Sequence, residues 1–278
     1  NEILNNIKKE FKNAGFPESY YSSLALLKTA HPNWKFVAIN TELDFYTVVD
    51  NEDRGNKSLI QYTSSTNDLG YLSTDEGNYN WLTDKYTVYD GSSWYAANRD
   101  TIAYYLDPRN FLSDNYIFQF ETIAYEESEY NLKIVQSLLK GQYLSNYSEI
   151  FVNSGKSANV SPVYLAALSK QEVGGSSTST AISGAQFTYE GKTYSNLYNF
   201  YNIGATSGST PVYRGLVYAN GGADGKTTTY NRPWNTPEKA ILGGAQFIYE
   251  NYLKSGQNTS YFKNYFRVCF FLCEKKED

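Results

Sequence analysis

The residue with the most chemical promise is Glu172. It stands near the end of the stretch 161–173 (SPVYLAALSKQEV), which runs straight into Gly174 and Gly175. Ser161 suits a helix N-cap, and Pro162 suits the first helical position, where the missing N–H has no partner to lose. The two glycines are stop signals. The spacing therefore predicts a helix over about 162–173, with Glu172 in its last turn. A helix C-terminus carries partial negative charge and disfavours an anion. Tyr164 and Leu168 precede Glu172 by eight and four residues, so the three share one face. If that face lines a cleft, Glu172 is partly desolvated, and both effects favour the protonated carboxyl. A carboxylic acid held protonated near neutral pH is what general-acid cleavage of a glycoside needs. The competing reading is an ordinary surface glutamate at a helix end.

Beyond the glycines, 186–194 reads as a β-hairpin and 199–204 (NFYNIG) as a Tyr/Asn-rich turn. This order resembles the glycoside hydrolase family 73 endo-β-N-acetylglucosaminidases, the peptidoglycan-cutting autolysins of Gram-positive bacteria. That pattern has a helix ending in a catalytic Glu followed by Gly, a small β-lobe, and an N-F/L-Y/F-x-I-G block. HPNWKF and LDPRNFL resemble the region before the catalytic Glu, and TYNRPWNTPEKAI resembles the aromatic loop leading into the helix that closes the cleft. The resemblance covers roughly 15–265. It implies an α+β, mainly α, lysozyme-like fold: a helical lobe and a small β-lobe flanking an open cleft, with Glu172 at its floor. The implied reaction is hydrolysis of the β-1,4 bond between N-acetylglucosamine and N-acetylmuramic acid. By the same resemblance, Glu190 in the hairpin is the nominated second acid. Tyr230 is the tyrosine best suited to stabilise an oxocarbenium-like or oxazolinium centre. Tyr198, Asn199, Tyr201 and Asn202 are candidates for substrate binding. Trp234 is another, either stacking a sugar or bracing its loop with Arg232. Ordinary packing is the alternative for each.

One acid does not decide the mechanism. A second carboxylate lies roughly 5–5.5 Å away in retaining enzymes and roughly 6.5–9.5 Å away in inverting ones, while N-acetyl sugars allow the substrate's own acetamido group to attack. Glu190 sits in Tyr-Glu-Gly-Lys, which also reads as a solvated turn. Glu238 occupies the second position of a helix opened by Thr236 and Pro237, where an acid stabilises the dipole. Glu250 reads as solvent face. The rival activities are a lysozyme-like muramidase and a lytic transglycosylase. A non-catalytic wall-binding module is a third reading, but no internal repeat supports it.

Composition narrows the field further. The chain has 278 residues and a net charge of −5, which gives no electrostatic footprint for nucleic acid. No apolar run approaches a membrane span. Tyrosine is abundant, with 28 copies, and its ring and hydroxyl both suit sugars. His31 is the single histidine, so Ser-His-Asp and Cys-His chemistry has little to draw on. No zincin, P-loop, dinucleotide or EF-hand motif occurs, and no cofactor or metal is expected. Cys269 and Cys273 are a weak disulfide or metal signal, in a tail (RVCFFLCEKKED) that departs from the resemblance. The chain has no methionine and no visible signal peptide. It reads as an excised, monomeric piece of a secreted cell-wall protein, acting on peptidoglycan strands.

The positioning elements can be sketched. Helices are expected over 2–14 and 18–30, ended by Gly15 and by His31-Pro32. Residues 34–39 read as strand-like, and 44–51 as a short helix or turn. Residues 54–93 read mostly as loop. A helix over 94–106 is broken by Pro108, and further helices follow near 126–139 and 146–154. Residues 211–220 read as strand-like, and a capped helix starts at Thr236. The division expected is an N-terminal helical and loop lobe, 1–130, packed on a catalytic domain, 131–278.

Overall fold

The structure is a computed structural model and describes residues 2–63, 69–127, 131–206 and 209–265. Cys269 and Cys273 lie outside the described residues. The chain forms two compact units, Asn1–Phe120 and Glu121–Asp278. It is α+β and mainly α: helices carry most of the regular structure, and every sheet is small and antiparallel.

The first unit opens with α1 (Glu2–Asn13) and α2 (Tyr21–Ala30). Phe11 from α1 and Leu24 and Ala25 from α2 bury one another, with Phe16 and Phe36 edge-on to Phe11. Asp44 caps α3 (Phe45–Glu52), accepting from the Thr47 N–H. Residues 34–39, which read as strand-like, join no ladder. Trp34 instead stacks on His31, whose Nε2 lies 2.7 Å from Asp114, so the histidine has a packing role.

Residues 54–93 are more ordered than a loop. They hold β1 (Leu59–Gln61), β2 (Tyr79–Asn80), β3 (Lys85–Tyr86) and β4 (Val88–Asp90). With β5 (Trp94–Ala96), strands β1 and β4 make a sheet ordered β1-β5-β4; β2 and β3 pair separately. The helix expected from Trp94 therefore starts later. Residues 94–96 pair with 59–61 in the sheet, and Asn98 caps α4 (Arg99–Leu106) by accepting from the Thr101 N–H.

The second unit is a helical body with one hairpin. It contains α5 (Leu132–Leu138), α6 (Ser148–Ala158), α7 (Pro162–Val173), β6 (Phe187–Tyr189), β7 (Lys192–Tyr194), α8 (Pro211–Ala219), α9 (Pro237–Asn251) and α10 (Ser260–Tyr265). α5 begins at Leu132, later than 126, because Asn131 caps it. The residues before α6, Tyr143–Tyr147, form a 3-10 turn. The strand expected over 211–220 is instead α8. Pro211 opens it, and Gly215, Leu216 and Ala219 form its buried stripe at helical spacing.

α9 is the centre of this unit. Ala240, Ile241, Gly243, Gly244, Ala245 and Ile248 are buried along it. Two of its glycines admit neighbours too close for any side chain. A Cβ at Gly243 would collide with the Trp234 indole nitrogen and the Tyr230 carbonyl, and one at Gly244 with the Tyr201 ring. The small residues let two aromatic rings lie directly on helix backbone.

Candidate active site

Glu172 is carried by α7, and the reasons for that helix are local. The Ser161 hydroxyl accepts from the Tyr164 N–H at 3.2 Å, and Pro162 fills the first turn. Pro162, Leu165, Ala166, Ser169 and Val173 form the buried stripe. Gly174, at φ 72°, ends the helix, its N–H returning to the Lys170 carbonyl at 3.1 Å. Glu172 falls beside the buried stripe and its side chain is exposed. Tyr164 and Leu168 on the same face are half-buried.

Asn202 reaches Glu172 from 30 residues away. Its amide Nδ2 donates to the Glu172 main-chain carbonyl at 2.6 Å and to carboxylate Oε2 at 3.4 Å. The first bond satisfies a last-turn carbonyl that has no partner within the helix. The second fixes one carboxylate oxygen. Asn202 itself sits in the left-handed region (φ 50°), which asparagine tolerates better than most residues.

The turn that presents Asn202 is held by Asn199. That residue is 1% exposed. Its Nδ2 donates to the carbonyls of Ile203 and Gly215 at 2.8 and 2.9 Å, and its Oδ1 accepts from the Ile203 and Tyr201 N–H groups. Every hydrogen-bonding group of the amide is engaged by backbone, so Asn199 ties the turn to α8 and has nothing left for a sugar. Tyr201 is also buried. Its hydroxyl donates to the Ile241 carbonyl at 3.4 Å, and burial raises its pKa well above the ordinary phenol value. Trp234 is fully buried, with its indole N–H on the Tyr230 carbonyl at 2.7 Å. It braces the loop and offers no face to a ligand. These three expectations of substrate contact are corrected on the same ground: the groups that would touch sugar face the core.

Tyr198, Tyr230 and Glu190 stay accessible. Tyr198 is half-buried beside Gly184 and donates its backbone N–H to the Trp234 carbonyl. Tyr230 is half-buried in the left-handed region (φ 57°). Its ring meets Phe247 edge-on, and its hydroxyl accepts from Asn251 at 3.2 Å. Arg232 is buried and braces the same loop: Nε donates to the Thr229 carbonyl, the guanidinium also bonds the Thr229 hydroxyl, and it covers the Tyr218 ring. Glu190 is exposed at the hairpin tip, where it and Gly191 both have positive φ. Of the sequence candidates, Asn202 is the one brought into hydrogen bonding with Glu172 among the described residues.

Sequence reasoning missed a tyrosine pair next to this site. The Tyr143 N–H donates to the Gly175 carbonyl at 2.9 Å, just beyond Glu172. The Tyr147 hydroxyl donates to that of Tyr143 at 3.0 Å. Burial, then the Tyr143 hydrogen bond and the neighbouring Tyr143, Tyr198 and Glu238 charges, push the Tyr147 phenol upward. The four-residue spacing was the available signal. A second missed contact is Lys263, which donates to the Tyr164 hydroxyl at 3.0 Å and lies over the Tyr252 ring. No group of three or more His, Cys, Asp or Glu side chains that could hold a metal occurs among the described residues. No described helix is long and apolar enough to cross a membrane.

No protein-family model matches the chain. Among curated proteins, a β-N-acetylglucosaminidase of Bacillus subtilis (strain 168) is 34% identical over 170 residues, covering 60% of this chain and 17% of that protein. A bifunctional autolysin of Staphylococcus epidermidis is 28% identical over 174 residues, covering 60% of this chain and 12% of that protein. The chain thus spans less than a fifth of the length of the curated relatives it matches. The crystal structure of S. aureus glucosaminidase B aligns with a TM-score of 0.50 at 22% identity, over 84% of this chain and 80% of that one. That likeness establishes the shared fold. Over 60% of its length the chain is thus similar to a protein named as a β-N-acetylglucosaminidase and to bifunctional autolysins.

Proposed function

We propose that the chain hydrolyses the β-1,4 bond between N-acetylglucosamine and N-acetylmuramic acid in bacterial peptidoglycan, with Glu172 as general acid. The observation that carries this reading is the exposed Glu172 carboxyl at the end of a capped helix, with Asn202 on one of its oxygens. Asn202 holds Oε2 as an acceptor, which leaves Oε1 to carry the proton delivered to the leaving oxygen. The names of the relatives, a β-N-acetylglucosaminidase and a bifunctional autolysin, support the bond class. Water then attacks the anomeric carbon, either directly or after the 2-acetamido group has closed on it. Tyr230 is the group assigned to the positive centre, and Glu190 the second acid to test. Tyr198 and Asn202 are the assigned sugar contacts. The chain acts as a secreted monomer on wall glycan, without cofactor, metal or nucleic acid.

The test compares the chain with its Glu172→Gln variant on purified cell walls, followed by mass spectrometry of borohydride-reduced fragments. Reduced N-acetylglucosamine ends that vanish in the variant are the expected result. Reduced or anhydro-muramic ends would keep Glu172 as the acid and replace the bond assignment by a muramidase or a lytic transglycosylase. Undiminished cleavage by the variant would place the chemistry elsewhere.

A further inference from the structure

The first unit carries an aromatic site that the chemistry at Glu172 does not use. Leu72, 3% exposed, lines a cavity of about 310 Å³ together with Tyr62, Tyr86 and Tyr95. That is the size of a small-ligand pocket. Leu69, Asp84 and Lys85 complete the lining. The three rings stand nearly perpendicular in sequence: Tyr62 to Tyr95 at 6.0 Å and 81°, and Tyr95 to Tyr86 at 6.4 Å and 83°. The run continues outward. Tyr86 meets Tyr79 at 4.6 Å, and Tyr79 meets Trp81 at 4.7 Å. Five rings in successive contact thus lead from the cavity to the tip of the β2-β3 hairpin.

At that tip Trp81 is 75% exposed and Leu82 is 97% exposed. The turn does not require them. Asn80 Oδ1 fixes it by accepting from the Leu82 and Thr83 N–H groups at 3.0 and 3.2 Å, and Asp84 adopts the left-handed region and accepts from the Tyr79 hydroxyl. A solvent-facing indole next to an aromatic cavity is what a ligand with one apolar face would use. A pyranose has such a face, with C–H bonds across the ring and hydroxyls at its rim. Asp84 can accept from those hydroxyls, and Lys85 can donate to an acetamido carbonyl.

We propose that this face is a second glycan site, taking an N-acetylhexosamine ring in the Tyr62–Tyr86–Tyr95 cavity while Trp81 stacks on the neighbouring sugar. The identity of the sugar rests on the reading of the chain as a peptidoglycan hydrolase; the site itself rests on the rings. It serves to hold the strand and takes no part in bond cleavage.

The experiment uses the whole chain with Glu172→Gln, so that walls stay intact, and measures its partition onto insoluble peptidoglycan. Trp81→Ala or Tyr86→Ala in that background is expected to weaken retention about tenfold, the scale of one lost aromatic contact. Trp81→Phe is expected to restore most of it, which a folding defect would not allow. With Glu172 present, Trp81→Ala should leave the rate on short soluble fragments unchanged. Retention within a factor of two of the background for Trp81→Ala and Lys85→Ala alike would overturn the site. Failure of the Glu172 reading looks different: walls are then cut by Glu172→Gln, whatever the Trp81 variants do.

Discussion

Two sets of aromatic side chains, one in each unit, are placed in opposite ways. In the second, Trp234 and Phe200 are fully buried, and Trp234 and Tyr201 lie on glycines of α9. In the first, Trp81, Tyr71 and Trp94 remain 75, 49 and 40% exposed. Buried rings of the first kind fix backbone. The loop that bears Tyr230 hangs on Trp234, and the turn that bears Asn202 is walled by Tyr201. Exposed rings of the second kind keep much of their surface open to a ligand. Residue type alone therefore says little about role: tryptophan is an anchor at 234 and an open surface at 81.

The sharpest way to break this contrast is to remove both tryptophans separately. Trp234→Ala is expected to destabilise the second unit by about 3–5 kcal/mol, through lost burial, a cavity and an unpaired Tyr230 carbonyl. Trp81→Ala should stay within about 0.5 kcal/mol. Urea unfolding followed by far-UV circular dichroism measures both. Equal losses would mean that the hairpin tip is structural after all, and the glycan site would lose its argument.

Asn202 tests the contrast at the proposed site, where one side chain joins the fixed scaffold to Glu172. Asn202→Ala removes both bonds to Glu172 and is expected to lower kcat about tenfold to a hundredfold, with a stability change of about 1 kcal/mol. KM should move less than kcat if positioning Glu172 is the larger of the two roles assigned to Asn202. A rise in KM with kcat kept would instead make Asn202 a plain sugar contact. The split between the two constants, measured on soluble muropeptide oligomers, decides the role.

What was legible in the sequence follows the same division. The starts of α7 and α9 could be read to the residue because each is opened by a cap and a proline (Ser161-Pro162, Thr236-Pro237). Such signals act within one turn and need no partner. β1 to β5 are two or three residues long, too short to show a period of two, so 54–93 looked like loop. At 94–106 the strand and the helix abut, and Asn98 was the overlooked cap. Residues 211–220, rich in Val and Tyr, read as strand-like, although Pro211 and the spacing of Gly215, Leu216 and Ala219 fit a helix. At the site, Glu172 could be found from its helix. That Asn202 would touch it, and that Asn199, Tyr201 and Trp234 would turn inward, depends on contacts across 16 to 40 residues that local pattern does not encode.

The smallest effect expected is electrostatic and lies in the first unit. Asp107 caps the 3-10 turn Pro108–Phe111 and takes Arg109 on both oxygens, with Nε at 2.8 Å from Oδ1 and Nη2 at 2.5 Å from Oδ2. Burial alone would raise its pKa, but the Arg109 side-chain and backbone bonds and its charge outweigh that and hold the carboxyl below its ordinary value. A carboxyl lowered in the folded state stabilises the fold above its unfolded pKa, near 4. That contribution is lost as the pH falls through the lowered folded value. Asp107→Asn should therefore reduce the melting temperature at neutral pH and flatten its decline below about pH 4. Arg109 is half-exposed, so solvent screening keeps the effect to about 1 kcal/mol or less. Melting curves of both chains from neutral to acid pH provide the check. Parallel curves would show that the pair contributes nothing, leaving the first unit stabilised by its Phe11 cluster and its short strands.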